Sequence, residues 1–166
     1  MKTKRKNKII LFTLLAMACI VTPIIVQGKS TKLYFDATEV QQVWIPIEFW
    51  IEDGVQHIRF HKEAAITGTI DGTEFTGYNY LEFHAKIDLA TGDMVVHGSA
   101  VFDITWGELN GLFTGIVNAK RAAGDVMTGK FTLQGSGDFD NWKMFGLILN
   151  LDPITNNLYG TVLIPN

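Results

Sequence analysis

Cysteine is almost absent. Cys19 is the single one in 166 residues, and it sits inside an apolar N-terminal run. Beyond that run no disulfide framework is possible, so a folded domain here must be held by its core alone. The roughly 138 residues after position 28 suffice for one domain. Nucleophile and phosphate motifs are missing as well. There is no Gly-x-Ser-x-Gly elbow, no His-Glu-x-x-His pair and no phosphate loop, and Ser99 and Ser136 have no evident base. No catalytic residue, metal ligand or cofactor is therefore assigned. Asn-x-Ser/Thr sequons are also lacking.

Positive charge is scarce outside the first few residues. Lys2, Lys4, Arg5, Lys6 and Lys8 precede an apolar run over residues 9–26 that only Thr13, Thr22 and Pro23 interrupt. A basic stretch ahead of an apolar one is the signal-peptide pattern, with small-residue cleavage fitting at Val26-Gln27-Gly28. Residues 1–28 are thus expected to be a helical signal peptide or anchor, and the protein secreted or extracytoplasmic. The alternative is an uncleaved membrane anchor over residues 9–26, at the lower length limit for crossing a bilayer. Removing this segment leaves 9 Lys and Arg against 17 Asp and Glu, a balance of −8 instead of the formal −3. A nucleic-acid partner is excluded for want of a basic footprint. Contact with membrane is expected only through the N-terminal segment.

What the chain does have is regular turn punctuation. Asp53-Gly54, Asp71-Gly72 and Thr91-Gly92 separate runs rich in Val, Ile, Thr, Phe, Tyr and Trp. Asp-Gly is a strong hairpin signal because a type I′ turn needs positive φ at both central residues. Eight strands are expected, near 43–52, 55–70, 73–89, 94–106, 111–120, 125–135, 142–151 and 158–165. Residues 29–42 are read as an N-terminal extension, with a short strand at 33–35 at most, and residues 43–166 as the barrel domain. Every connection is short, so each strand should pair with the next. The expected fold is all-β, an eight-stranded antiparallel up-and-down barrel.

Pairing the hairpins through two-residue loops tests the faces. Phe60 then opposes Phe83, Ile58 opposes Ala85, Phe83 opposes Ala100, Leu81 opposes Phe102 and Ile87 opposes Val96. Extension through Asp53-Gly54 sets Phe49 opposite Ile58 and Ile47 opposite Phe60. The other face gathers Glu48, Arg59, His61, Glu82, His84, Lys86 and His97, and Trp44 and Trp50 are spaced to join it beside Glu63 and His57. Lys62 lands on the apolar side, and a bulge near residues 62–65 would turn it outward.

The segment Gly135-Ser136-Gly137-Asp138-Phe139, followed by Gly146 in an apolar strand, resembles the Gly-x-Gly-x-Phe segment of allene oxide cyclases and dirigent proteins. The resemblance implies an eight-stranded barrel with an apolar interior that binds a hydrophobic small molecule, and a homo-oligomer, a trimer in particular. It places no catalytic residue on this chain.

Three functions are compatible with these residues. The first is an exported, non-enzymatic barrel binding a hydrophobic small molecule or a partner, with Phe60, Phe83, Phe102, Ile104 and Trp106 as the interior ligand-binding residues. The second is a cyclase- or isomerase-type enzyme, which requires a polar side chain pointing inward; Lys62 and Asn79 are the candidates. The third is a structural envelope protein with a filled core. His57, His61, Glu82, His84 and His97 on one face read as a solvated ion-pair ladder in preference to a metal site. Asp138, Asp140 and Asn141 read as a turn in preference to a calcium loop.

Overall fold

The computed structural model describes residues 30–150 and 156–166, so the expected signal or anchor helix lies outside the described residues. Eight strands follow one another: β1 (Thr31–Glu52), β2 (Val55–Ile70), β3 (Thr73–Asp88), β4 (Met94–Trp106), β5 (Leu109–Arg121), β6 (Thr128–Gly137), β7 (Lys143–Asn150) and β8 (Asn156–Ile164). Each pairs antiparallel with the next, and β1 pairs with β8, which closes the barrel. No helix occurs among the described residues.

The turns behave as their residues require. Asp53 and Gly54 have φ of 49° and 78°, and Asp71 and Gly72 have 50° and 82°. These are the positive values of a two-residue hairpin turn. The register they set gives Phe60 opposite Phe83, Ile58 opposite Ala85 and Arg59 opposite His84.

Four expectations are corrected. First, β1 begins at Thr31 and not near residue 43, so the supposed extension is the strand that closes the barrel. Second, the β3–β4 connection is not a two-residue loop. The Asp88 carboxylate accepts from the backbone N–H groups of Ala90 and Thr91, which builds a longer turn over residues 89–93. The register moves by two residues, so Phe83 opposes Gly98 and Leu81 opposes Ala100. A shift of two preserves the faces, which is why the apolar surface survives it.

Third, the bulges lie in β1, between Val40 and Val43 and between Pro46 and Glu48, and β2 runs through Lys62 unbroken. Lys62 therefore stays inside. Fourth, the second bulge sets Pro46, not Ile47, opposite Phe60 and sets Trp44 opposite Lys62. A slip of one residue reverses a side chain, so Trp44 faces inward.

The two ends of the barrel differ. At one end the turns 71–72, 107–108 and 138–142 meet the start of β1 and the end of β8. That end is plugged by aromatic rings. Phe139 is fully buried and stacks on Phe113 at 5.0 Å, with Trp142 at 5.2 Å and Trp106 beyond it. Gly135 makes the plug possible, because a methyl group at that position would overlap the Phe139 carbonyl oxygen. The Gly-x-Gly-x-Phe segment is thus a way of tucking a ring under the sheet.

At the other end one wall stands above the rest. β8 covers only residues 31–39 of β1, whereas β2 pairs with β1 as far as Glu52. Phe49 and Ile51 on the inner face of this wall are consequently exposed, and Val43 and Ile45 are exposed on its outer face. We predict that Gly135→Ala lowers unfolding free energy by about 1–3 kcal/mol, the usual cost of overpacking, as measured by urea titration. Wild-type stability in that variant would show that Phe139 can move aside freely.

Candidate functional site

Strand alternation brings Ile58, Phe60 and Lys62 of β2, Leu81, Phe83 and Ala85 of β3, and Met94 and Val96 of β4 onto one inner surface near the taller rim. Together with Met127 and Ile148 they enclose a cavity of about 160 Å³. Its surface is almost wholly apolar, and the side chains at its floor carry buried polar groups.

Glu39, Lys62, Asn79 and Asn156 are all buried, each no more than 3% exposed, and they form one cluster. Lys62 Nζ donates to Glu39 Oε2, and Asn79 Nδ2 donates to Glu39 Oε1. Asn156 Nδ2 donates to Glu39 Oε2 at 2.6 Å. One carboxylate thus accepts from three donors on three different strands, which is how a buried charge is made tolerable. The Trp44 ring lies over the amine, 5.2 Å from Lys62 Nζ, and packs on Phe60 at 5.0 Å. Glu39, Trp44, Lys62 and Asn156 border the cavity. Asn79 lies beneath them.

Two acceptors in this cluster, Asn79 Oδ1 and Asn156 Oδ1, are buried with no hydrogen-bond partner among the described residues. An unmet buried acceptor costs about 1–3 kcal/mol. The Asn156 amide cannot turn over to relieve this, because its oxygen would then face the carboxylate.

Burial holds the Lys62 ammonium below its ordinary 10.5; the attraction of Glu39 and the hydrogen bond to it oppose the shift without cancelling it. The amine thus gives up its proton more readily than a surface lysine does.

The interior residues proposed from the sequence fall in three places. Phe60 and Phe83 line the cavity. Phe102 and Ile104 are packed into the solid core, at 1% and 0% exposure. Trp106 is at the plugged end against Trp142. Lys62 and Asn79 point inward. Glu39 and Asn156 were missed, because one fell in the supposed extension and the other in the supposed last turn. A signal for Glu39 existed: Leu33, Phe35 and Ala37 alternate inward, and Glu39 is the next position in that series.

The outer face carries the histidines. His57 Nδ1 lies 3.0 Å from His84 Nε2, and the Trp50 ring stacks on both, at 4.6 and 5.3 Å. His61 turns to Glu63 at 3.2 Å instead of to Glu82, and His97 meets Asn118. Arg59 pairs with Glu48 at 3.2 Å. Among the described residues no three His, Cys, Asp or Glu side chains converge on one metal position. Asp138 accepts from the Asn110 backbone N–H, and Asn141 donates to Asp140 at φ of 65°, so this acidic stretch is a turn.

No protein-family model and no curated protein matches the sequence.

Two predictions follow from the charges. Lys62→Met alone strands Glu39 and should cost about 3–5 kcal/mol, whereas Glu39→Gln combined with Lys62→Met should recover most of that loss. A double-mutant cycle by chemical denaturation checks this; additive losses would show that the two groups are not coupled. In the wild type, the folded state binds fewer protons at Lys62 than the unfolded chain between its lowered pKa and 10.5. Stability relative to the double variant should therefore rise with pH across that window.

His84 is held below 6.5 by partial burial first, and then by its neighbours His57, Lys86 and Arg59, with Glu48 opposing the shift. Its NMR titration midpoint should lie below that of a histidine in the unfolded chain. The folded state then gains stability as pH rises from that midpoint to 6.5 and loses it on acidification. A His84 midpoint above 6.5 would contradict the arrangement.

Proposed function

We propose that this protein is an exported barrel that binds a small, largely apolar molecule carrying one polar group. The observation that carries the reading is the pairing of an apolar cavity wall with the Glu39–Lys62–Asn156 floor. Concave apolar sites with a few convergent polar groups are the usual form of small-molecule sites. A dry cavity of about 150 Å³ accommodates benzene. The 160 Å³ here therefore suits a ring or a short branched chain. A longer remainder would lie along Phe49 and Ile51, which continue the inner face above the rim and are exposed. The polar group would donate to Asn156 Oδ1, which has no other partner among the described residues, or accept from Lys62. The basic segment and apolar run of residues 2–26 support export, or attachment through that segment.

A cyclase- or isomerase-type activity is the second reading. One observation favours it: a carboxylate and an amine share the cavity floor, which is the minimum for moving a proton within a bound molecule.

Benzyl alcohol is a suitable probe. It should shift the methyl resonances of Ile58, Met94, Val96, Met127 and Ile148 in a saturable way. Val96→Trp should abolish the shifts by filling the cavity. Phe102→Leu, in the solid core, should reduce stability and leave binding intact. An absence of saturable shifts with benzyl alcohol, or shifts that persist in Val96→Trp, would refute the proposed site.

A further inference from the structure

We infer that Lys62 captures an apolar aldehyde or ketone in the cavity as a covalent imine, an inference that rests on the binding reading above and names the ligand's chemistry. Four observations converge on the amine. It lies on the floor of a cavity to which, among the described residues, no other amine contributes. It is 2% exposed, so bulk water does not compensate its charge. Its proton acceptor is already in place, since Nζ donates to Glu39 Oε2. An unpartnered acceptor, Asn156 Oδ1, is held beside the same carboxylate by the 2.6 Å bond from Asn156 Nδ2. A lysine desolvated in an apolar site is the usual way to make an amine nucleophilic near neutral pH.

The step balances without any further reagent. Glu39 takes one ammonium proton, and the freed lone pair of Nζ attacks the carbonyl carbon. The C–N bond forms as the C=O π pair moves to oxygen, which takes a proton back from Glu39. A second proton passes from nitrogen to that hydroxyl through the same carboxylate, and the C–O bond breaks. The carbonyl oxygen departs as one water holding two of the original three ammonium protons. The third proton stays on nitrogen, so the product is an iminium cation with Glu39 as its counter-ion. The buried charge balance is the same before and after, and no oxidant or reductant is needed. Asn156 Oδ1 can accept from the hydroxyl of the tetrahedral intermediate.

A structural ion pair would not need this setting. Replacing a buried pair with apolar groups is often neutral or stabilising. A purely structural pair also gains nothing from bordering a cavity.

The test treats the purified chain with benzaldehyde and sodium cyanoborohydride near neutral pH, followed by peptide mapping by mass spectrometry. Lys62 should be alkylated several-fold faster than Lys32, Lys86, Lys120, Lys130 and Lys143, because burial leaves more of it as the free amine. Benzyl alcohol should slow the reaction at Lys62 and leave the other lysines unaffected. Lys62→Arg, which keeps a cation for Glu39, should remove the fast phase. If Lys62 reacts no faster than the surface lysines while benzyl alcohol still shifts the cavity methyls, the covalent inference is overturned and the binding reading stands. If Lys62 is slow and those methyls do not respond, both fall.

Discussion

The pairing of residues 31–39 with residues 156–164 turns an open meander into a closed barrel. Without that ladder the apolar faces of β2 to β7 would line an open sheet wetted on both sides. With it, Phe35, Ile66, Phe102, Phe113 and Leu158 share one interior. The same ladder sets Glu39 opposite Asn156, while the β1–β2 ladder sets Glu39 opposite Ile66 and Trp44 opposite Lys62. Closure therefore makes the core and assembles the polar cluster in a single event.

That coupling has an energetic side. A carboxylate and an ammonium can be sealed from water only if the partners arrive together with enough donors to replace the lost solvation. Three donors reach Glu39, from β2, β3 and β8. The fold thus places its least tolerant charges where β1 is held on both edges. Exposed ion pairs such as Arg59 with Glu48 lie on the rising wall, where water does most of the work and little depends on them.

Much of the architecture was legible because hairpin turns and alternation are local. The Asp-Gly turns and the register of β2 against β3 follow from residues close in sequence. β1 was not legible in its first half: its inward series ends in a charge at Glu39 and then meets Gln41 and Gln42, where a bulge breaks the period of two. A second bulge, before Glu48, reversed Trp44 for the same reason. Lys62 announced itself as a charge on the apolar face, but its partner is 23 residues upstream on a strand whose register local patterning cannot give. Alternation also says which side chains point inward and not how deep they lie. Phe60 and Phe102 are equivalent by pattern, yet one borders a cavity and the other is solid core, because depth is set by how strands of unequal length stagger around the barrel.

The unlike ends of the barrel impose a direction on the molecule. Thr31 enters at the plugged end, beside Ile164, and the cavity opens at the opposite rim. A chain tethered through the residues preceding Thr31 would stand with its aromatic base toward the tether and its mouth turned away. Solutes would then approach from the far side, and the tall β1–β2 wall would meet them first.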